Sequence, residues 1–122
     1  MTQETHDAKE MVTAAAAAAA DKKASDLIIL EVYEILNITD YFLICSGKND
    51  KQTKAIADEV RKTIRELGGK PLRAAGEDLG DWILIDYGDF VVHIFTEEKR
   101  EYYQLERLWS DAPQLDIVER AE

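Results

Sequence analysis

The stretch from Gly80 to Phe95, Gly-Asp-Trp-Ile-Leu-Ile-Asp-Tyr-Gly-Asp-Phe-Val-Val-His-Ile-Phe, constrains the fold more than any other part of this chain. Two apolar-rich runs flank Gly88-Asp89, the pattern of a β-hairpin closed by a two-residue turn. If Tyr87 lies opposite Phe90, the two-residue period of a strand sorts the side chains between two faces. Ile83, Ile85, Tyr87, Phe90, Val92 and Ile94 share one, a core face. Trp82, Leu84, Asp86, Val91, His93 and Phe95 share the other. Packing alone gives that second face no reason to carry a carboxylate and an imidazole, so it is the place to look for function.

The rest of the chain is compatible with one small α/β domain. Its 122 residues include enough Leu, Ile, Val and aromatics for a single core, although seven of the apolar residues are the consecutive alanines Ala14 to Ala20. Asp7 caps a first helix expected to run to about Lys23, where alanine supplies helix propensity and little to bury. Asp26 to Glu34 and Asp40 to Ser46 read as strands joined through Asn37-Ile38-Thr39. Asn49 is a candidate N-cap for a helix in which Thr53, Ile56, Ala57, Val60, Ile64 and Leu67 recur at helical spacing, and Gly68-Gly69 stops it. Pro71 to Ala75 is a short strand. After the hairpin, Lys99 to Trp109 reads as one helix with Tyr102, Leu105 and Trp109 along a core stripe and Arg100 and Glu106 available to solvent. Residues 1–113 then form one domain, a mixed sheet covered by helices, and residues 114–122 an acidic, loose tail.

Charge and composition exclude several function classes. The net charge is −10, from 25 acidic and 15 basic residues. That balance repels phosphate backbones and suits a basic protein partner. It is uneven, with net +4 over residues 48–73 and −9 over residues 74–122. The basic helix reads either as a solvated face or as a secondary contact to RNA. A lone cysteine, Cys45, excludes a disulfide framework and fits a reducing compartment. No run approaches the roughly 18 to 20 apolar residues of a membrane span. The acidic N-terminus lacks the basic region of a targeting peptide, and the expected location is cytoplasmic.

Reactive constellations are scarce. His6, His93 and Cys45 cannot assemble a zinc set at any usual spacing. Cys45 reads as a buried structural thiol, and Ser46-Gly47 lacks a hydrolase elbow. Ser46-Gly47 before a helix faintly resembles nucleotidyltransferase folds, but no Asp-x-Asp metal pair or Gly-rich phosphate loop accompanies it. Asp86 and His93 remain, one diagonal step apart on adjacent strands. They form either a polar docking patch around Trp82 or a buried Asp–His hydrogen bond tying the hairpin to the last helix. A third reading, a small hydrolytic or nucleotidyltransferase-like enzyme using this pair, lacks a nucleophile and an oxyanion site.

Taken together, Asp40-Tyr41-Phe42, Ser46-Gly47, the run Trp-x-x-x-Asp-Tyr-Gly-Asp-x-Val-Val-His from Trp82 to His93, and Arg-x-x-Tyr-x-Leu-Glu-x-Leu-Trp from Arg100 to Trp109 resemble the ribosomal silencing factor family, also called Iojap-related proteins. Asp21-Lys22-Lys23-Ala24 before the first strand also fits. The resemblance implies a nucleotidyltransferase-like fold without catalytic carboxylates and a factor that needs no cofactor. It further implies docking on the large ribosomal subunit through ribosomal protein L fourteen, a block on joining of the small subunit, and repression of translation when nutrients are scarce. Trp82, Asp86 and His93 match the hairpin motif, and Arg100, Tyr103 and Glu106 the helix motif. With Leu84, which shares the hairpin face, these are the expected partner-binding residues. A minor contact with ribosomal RNA and a homodimer away from the ribosome stay open.

Overall fold

The computed structural model describes residues 7–33 and 39–115. Helix α1 (Ala8–Asp21) leads into β1 (Ser25–Glu31) and β2 (Tyr41–Gly47), followed by α2 (Asp50–Glu66) and β3 (Arg73–Ala75). The hairpin strands are β4 (Trp82–Asp86) and β5 (Phe90–Thr96), after which come α3 (Glu97–Tyr103), a 3₁₀ turn (Leu105–Trp109) and β6 (Gln114–Leu115). Among the described residues, six strands form one mixed sheet in the order β3-β4-β5-β2-β1-β6, in which only β2 and β5 pair in parallel. The result is the single-domain α/β architecture expected from the sequence.

Each helix starts where its cap residue stands. The Asp7 carboxylate accepts the Glu10 N–H at 2.8 Å, and the Asn49 side chain accepts the Gln52 N–H at 2.9 Å, satisfying amide groups that a first turn leaves unpaired. Along α2, Thr53, Ile56, Ala57, Val60 and Ile64 are buried at spacings of three and four, the core stripe of an amphipathic helix. Alanines of α1 are more than helix formers. Ala15, Ala16, Ala18 and Ala19 are buried with Val12 against α2 and the sheet. Small side chains let that helix approach closely, so a face that looks featureless in the sequence is core.

The hairpin follows its predicted register, with Ile83 opposite Ile94, Ile85 opposite Val92, and the Tyr87 N–H donating to the Phe90 carbonyl at 2.9 Å. Gly88 supplies the positive φ of 91° that the turn requires. Ile83, Ile85, Phe90, Val92 and Ile94 meet α1 and α2 in the larger core. On the opposite face Trp82, Val91 and Phe95 join Phe42, Ile44, Leu30, Leu105 and Trp109 in a smaller one.

Three expectations need correction. The last helix is not continuous from Lys99 to Trp109: α3 ends at Gln104, whose left-handed φ of 48° turns the chain into the 3₁₀ segment. That bend leaves Tyr102 exposed and off the stripe that Leu105 and Trp109 share. Arg100, expected at the surface, is buried. Gln114 and Leu115, placed in the tail, pair with Leu30 and Ile29 as β6, while residues 116–122 lie outside the described residues. So do Glu34 of the expected first strand and Asn37-Ile38 of the connection after it.

Gly76 fixes the loop that launches the hairpin. It has φ +87°, and a Cβ there would stand 1.9 Å from the Trp82 carbonyl oxygen. Gly76→Ala is expected to destabilise the domain by at least about 1–3 kcal/mol, the cost of a left-handed non-glycine residue alone. The backbone clash adds to that figure, and urea unfolding of the variant measures the sum.

Candidate functional site

The second face of the hairpin is where the expected site residues gather. Pleating points Trp82, Leu84 and Asp86 of β4 and Val91, His93 and Phe95 of β5 to that side, with Leu84 directly opposite His93. The Trp82 indole stacks on Phe95 at 4.9 Å and donates its Nε1–H to His93 Nδ1 at 3.1 Å. Tyr103, delivered by the end of α3, packs over Trp82 at 4.9 Å and is 47% exposed. Phe42 of the neighbouring β2 meets the His93 ring edge-on at 4.9 Å. An aromatic cluster therefore surrounds one imidazole.

Asp86 and His93 share the face without a hydrogen bond to each other. The Asp86 carboxylate accepts the Gly88 N–H at 2.8 Å, stabilising the hairpin turn, and pairs with Arg73 of β3 at 3.2 Å. Because the Arg73 side chain is largely exposed, that ion pair contributes little to stability. The buried Asp–His bond considered from the sequence is replaced by Asp86–Gly88 and Trp82–His93.

His93 is 5% exposed. Burial pushes its imidazole down to about 4, against a smaller upward pull from the Asp86 carboxylate. It is therefore neutral at pH 7. Since Nδ1 accepts from Trp82, the single ring proton sits on Nε2, and that nitrogen has no partner.

The remaining expected residues divide. Arg100 and Glu106 belong to a different place, a depression of about 890 Å³ at the far end of β2 that also touches Asp26 and Ser46. The Arg100 guanidinium donates to the Asp26 carbonyl at 2.6 Å, Ser46 Oγ at 2.9 Å and Glu106 at 3.1 Å. It clamps α3 onto the irregular start of β1. Cys45 is fully buried, and desolvation pushes its thiol up to about 12, which removes the thiolate that nucleophilic chemistry requires. Among the described residues no three His, Cys, Asp or Glu side chains cluster as a metal set, and no helix is long and apolar enough to cross a membrane.

Next to His93 the face opens into a cavity of about 370 Å³ lined by Thr39, Phe42, Leu72, Leu84, Asp86 and Val91, with Arg73 and Gly88 at its edge. Thr39 and Leu72 were not among the expected site residues. Nothing in the local pattern marks them, because both reach the site from segments flanking the hairpin: Asp40 N–H bonds to the Asp89 carbonyl, and Leu72 N–H to the Asp86 carbonyl.

Sheet order and site together define a class, single-domain α/β proteins that carry an aromatic-lined face on the outer side of a central hairpin. Within that class the chain belongs to the ribosomal silencing factor family, since the family model described as "Ribosomal silencing factor during starvation" matches residues 5–122. A Bacillus subtilis relative named ribosomal silencing factor RsfS is 45% identical over 109 residues, 89% of this chain and 92% of that protein. A mouse relative named mitochondrial assembly of ribosomal large subunit protein 1 is 32% identical over 92 residues, covering 73% of this chain and 40% of that one. A crystal structure from Bacillus halodurans superposes with a TM-score of 0.79 at 41% identity, covering 88% of this chain and 98% of the other.

The protonation state of His93 has a measurable consequence. An unfolded histidine takes up its proton near 6.5 and the folded one near 4, so between these values the unfolded chain binds more protons. The stability contribution is complete above about pH 6.5 and declines as pH falls toward 4. It amounts to on the order of 3 kcal/mol. Urea unfolding at pH 7 and pH 4 is expected to show a smaller loss for His93→Gln than for wild type, because carboxylates titrate alike in both.

Proposed function

We propose that this chain is a cytoplasmic ribosomal silencing factor without enzymatic activity. It docks on the large ribosomal subunit through ribosomal protein L fourteen, blocks joining of the small subunit and represses translation under nutrient limitation. The observation that carries the reading is the second hairpin face: Trp82 and Tyr103 form an aromatic pair at the surface beside Leu84 and the exposed Leu72. Aromatic anchors flanked by apolar contacts are the usual energetic centre of a protein interface. Family membership supports the ribosome as its target, and the name of the mouse relative supports the large subunit. The acidic excess supports a basic ribosomal protein as the direct contact, with complementary charge steering association.

Arg100 and Glu106 contribute to this function by holding α3, and with it Tyr103, against the sheet. Ribosomal RNA is at most a minor contact, through the basic face of α2. Off the ribosome, two chains covering each other's aromatic face would form a homodimer.

Sedimentation through sucrose gradients with separated subunits tests the proposal. Wild type is expected with large subunits. Trp82→Ala and Leu72→Asp are each expected to weaken that binding by at least tenfold, as interface anchors do. Leu72 is 74% exposed, so Leu72→Asp should leave the melting temperature unchanged and separates a damaged surface from a damaged fold. Undiminished binding of both variants would place the interface elsewhere. Binding should also slow as salt rises, because charges beyond about 8 Å are screened at physiological ionic strength.

A further inference from the structure

Stacking alone does not determine how the Trp82 indole is presented. The half-buried ring lies against Phe95 and Tyr103, each at 4.9 Å, with interplanar angles of 29° and 47°. Those contacts hold the plane of the ring. They leave open which of its edges faces inward, because the χ2 torsion of tryptophan is broad and roughly two-fold. One directional contact removes that ambiguity, the Nε1–H donating to His93 Nδ1 at 3.1 Å.

His93 is built for this contact rather than for meeting a partner itself. At 5% exposure it offers an incoming surface almost nothing. Phe42 stands edge-on to its ring at 4.9 Å, and Phe95 lies nearly parallel to it at 6.4 Å, so the imidazole is set firmly in the sheet. Burial keeps it neutral at pH 7, which leaves Nδ1 a lone pair with which to accept. Among the described residues, the one hydrogen bond of its side chain runs to Trp82. A leucine here would fill the same space and leave the indole edge unspecified.

We infer that His93 is a positioning residue of the docking face. It does not touch the partner. It acts through its bond to the Trp82 indole, which holds that anchor, and the Tyr103 ring packed on it, in the geometry the partner meets. This rests on the docking reading given above and moves His93 from contact to support. The gain is preorganisation: a side chain ordered before association loses less entropy when the complex forms.

Three measurements test this. In the NMR spectrum of wild type, the imidazole nitrogen shifts of His93 should report the Nε2–H tautomer, the form in which Nδ1 accepts. The Nδ1–H tautomer would overturn the inference without recourse to any variant. In His93→Leu, which keeps similar bulk and removes the acceptor, the indole N–H signal of Trp82 should move upfield and exchange faster with solvent. Trp82→Phe identifies that signal between the two tryptophans of the chain, and an unchanged signal in His93→Leu would overturn the inference. The third measurement is a double-mutant cycle on affinity for purified large subunits. His93→Leu should weaken binding about three- to tenfold in the wild-type background, the range of one side chain ordered on association. In the Trp82→Phe background it should change binding by less than about twofold, because the bond through which it acts is already gone. Equal losses in both backgrounds mean that His93 meets the partner directly or only supports the fold, and the inference fails. It fails too if His93→Leu binds as wild type does. Failure of wild type to bind large subunits would overturn the docking reading and this one together, whereas normal wild-type binding without coupling in the cycle overturns this one alone.

Discussion

The whole architecture depends on the parallel pairing of β2 with β5, seven residues long and in register from Tyr41 opposite Phe90 to Gly47 opposite Thr96. It joins the two halves of the chain at the centre of the sheet. Parallel strands need both faces covered, and these two have them: Leu43, Cys45, Val92 and Ile94 point toward α1 and α2, while Phe42, Ile44 and Phe95 point toward the C-terminal segment. Everything else is added to this ribbon, with β4 and β3 on one side and β1 and β6 on the other. A one-residue slip would exchange every inner side chain for an outer one.

The two faces so created differ in how fully the chain covers them. Two helices, of 14 and 17 residues, close the inner face. Among the described residues, the outer one has a seven-residue helix and a five-residue 3₁₀ turn. Arg100 makes that short cover possible, because its guanidinium joins Asp26, Ser46 and Glu106 across three separate segments. The cover reaches Trp82 through Tyr103 and Phe42 through Trp109, while Leu84 lines the cavity beside His93. Among the described residues, the difference between the two covers follows from element lengths rather than from any single residue.

Much of this was legible in the sequence because period-two alternation and turn chemistry are local. The register of β4 and β5, both faces of the hairpin and both helix caps could be read residue by residue. What could not be read depends on distant partners. Gln104 breaks the last helix in a left-handed conformation that glycine usually signals and glutamine does not. The alanine face of α1 carries no polar contrast to show which side is buried. β6 is two residues whose pairing to β1 exists only once the sheet is assembled. At the site, the shared face of Trp82, Asp86 and His93 was visible, but the bond from Trp82 to His93 was not. Nor was Thr39, whose place in the wall is set by the bond from Asp40 to the hairpin turn.

Unsatisfied polar atoms are buried on both sides of the sheet. Among the described residues, Thr39 Oγ1, His93 Nε2, Glu106 Oε1 and Trp109 Nε1 on the outer side of the sheet, and Arg61 Nε and Tyr87 OH on the helix-covered side, are buried without partners. A core selected only for stability would replace such atoms with carbon, since apolar substitution of an unmade hydrogen bond is close to neutral or favourable. Where they stay, as at His93, the cost of the unmade bond is carried by the folded chain. His93 shows how the fold maintains that state. Its neighbours exclude water and hold it neutral, while Trp82 occupies Nδ1 and so directs the remaining proton to Nε2. One half-buried aromatic residue therefore acts twice, packing the outer cluster and fixing the tautomer of the imidazole beside it. Aromatic packing and the protonation pattern of His93 are consequently coupled through a single indole.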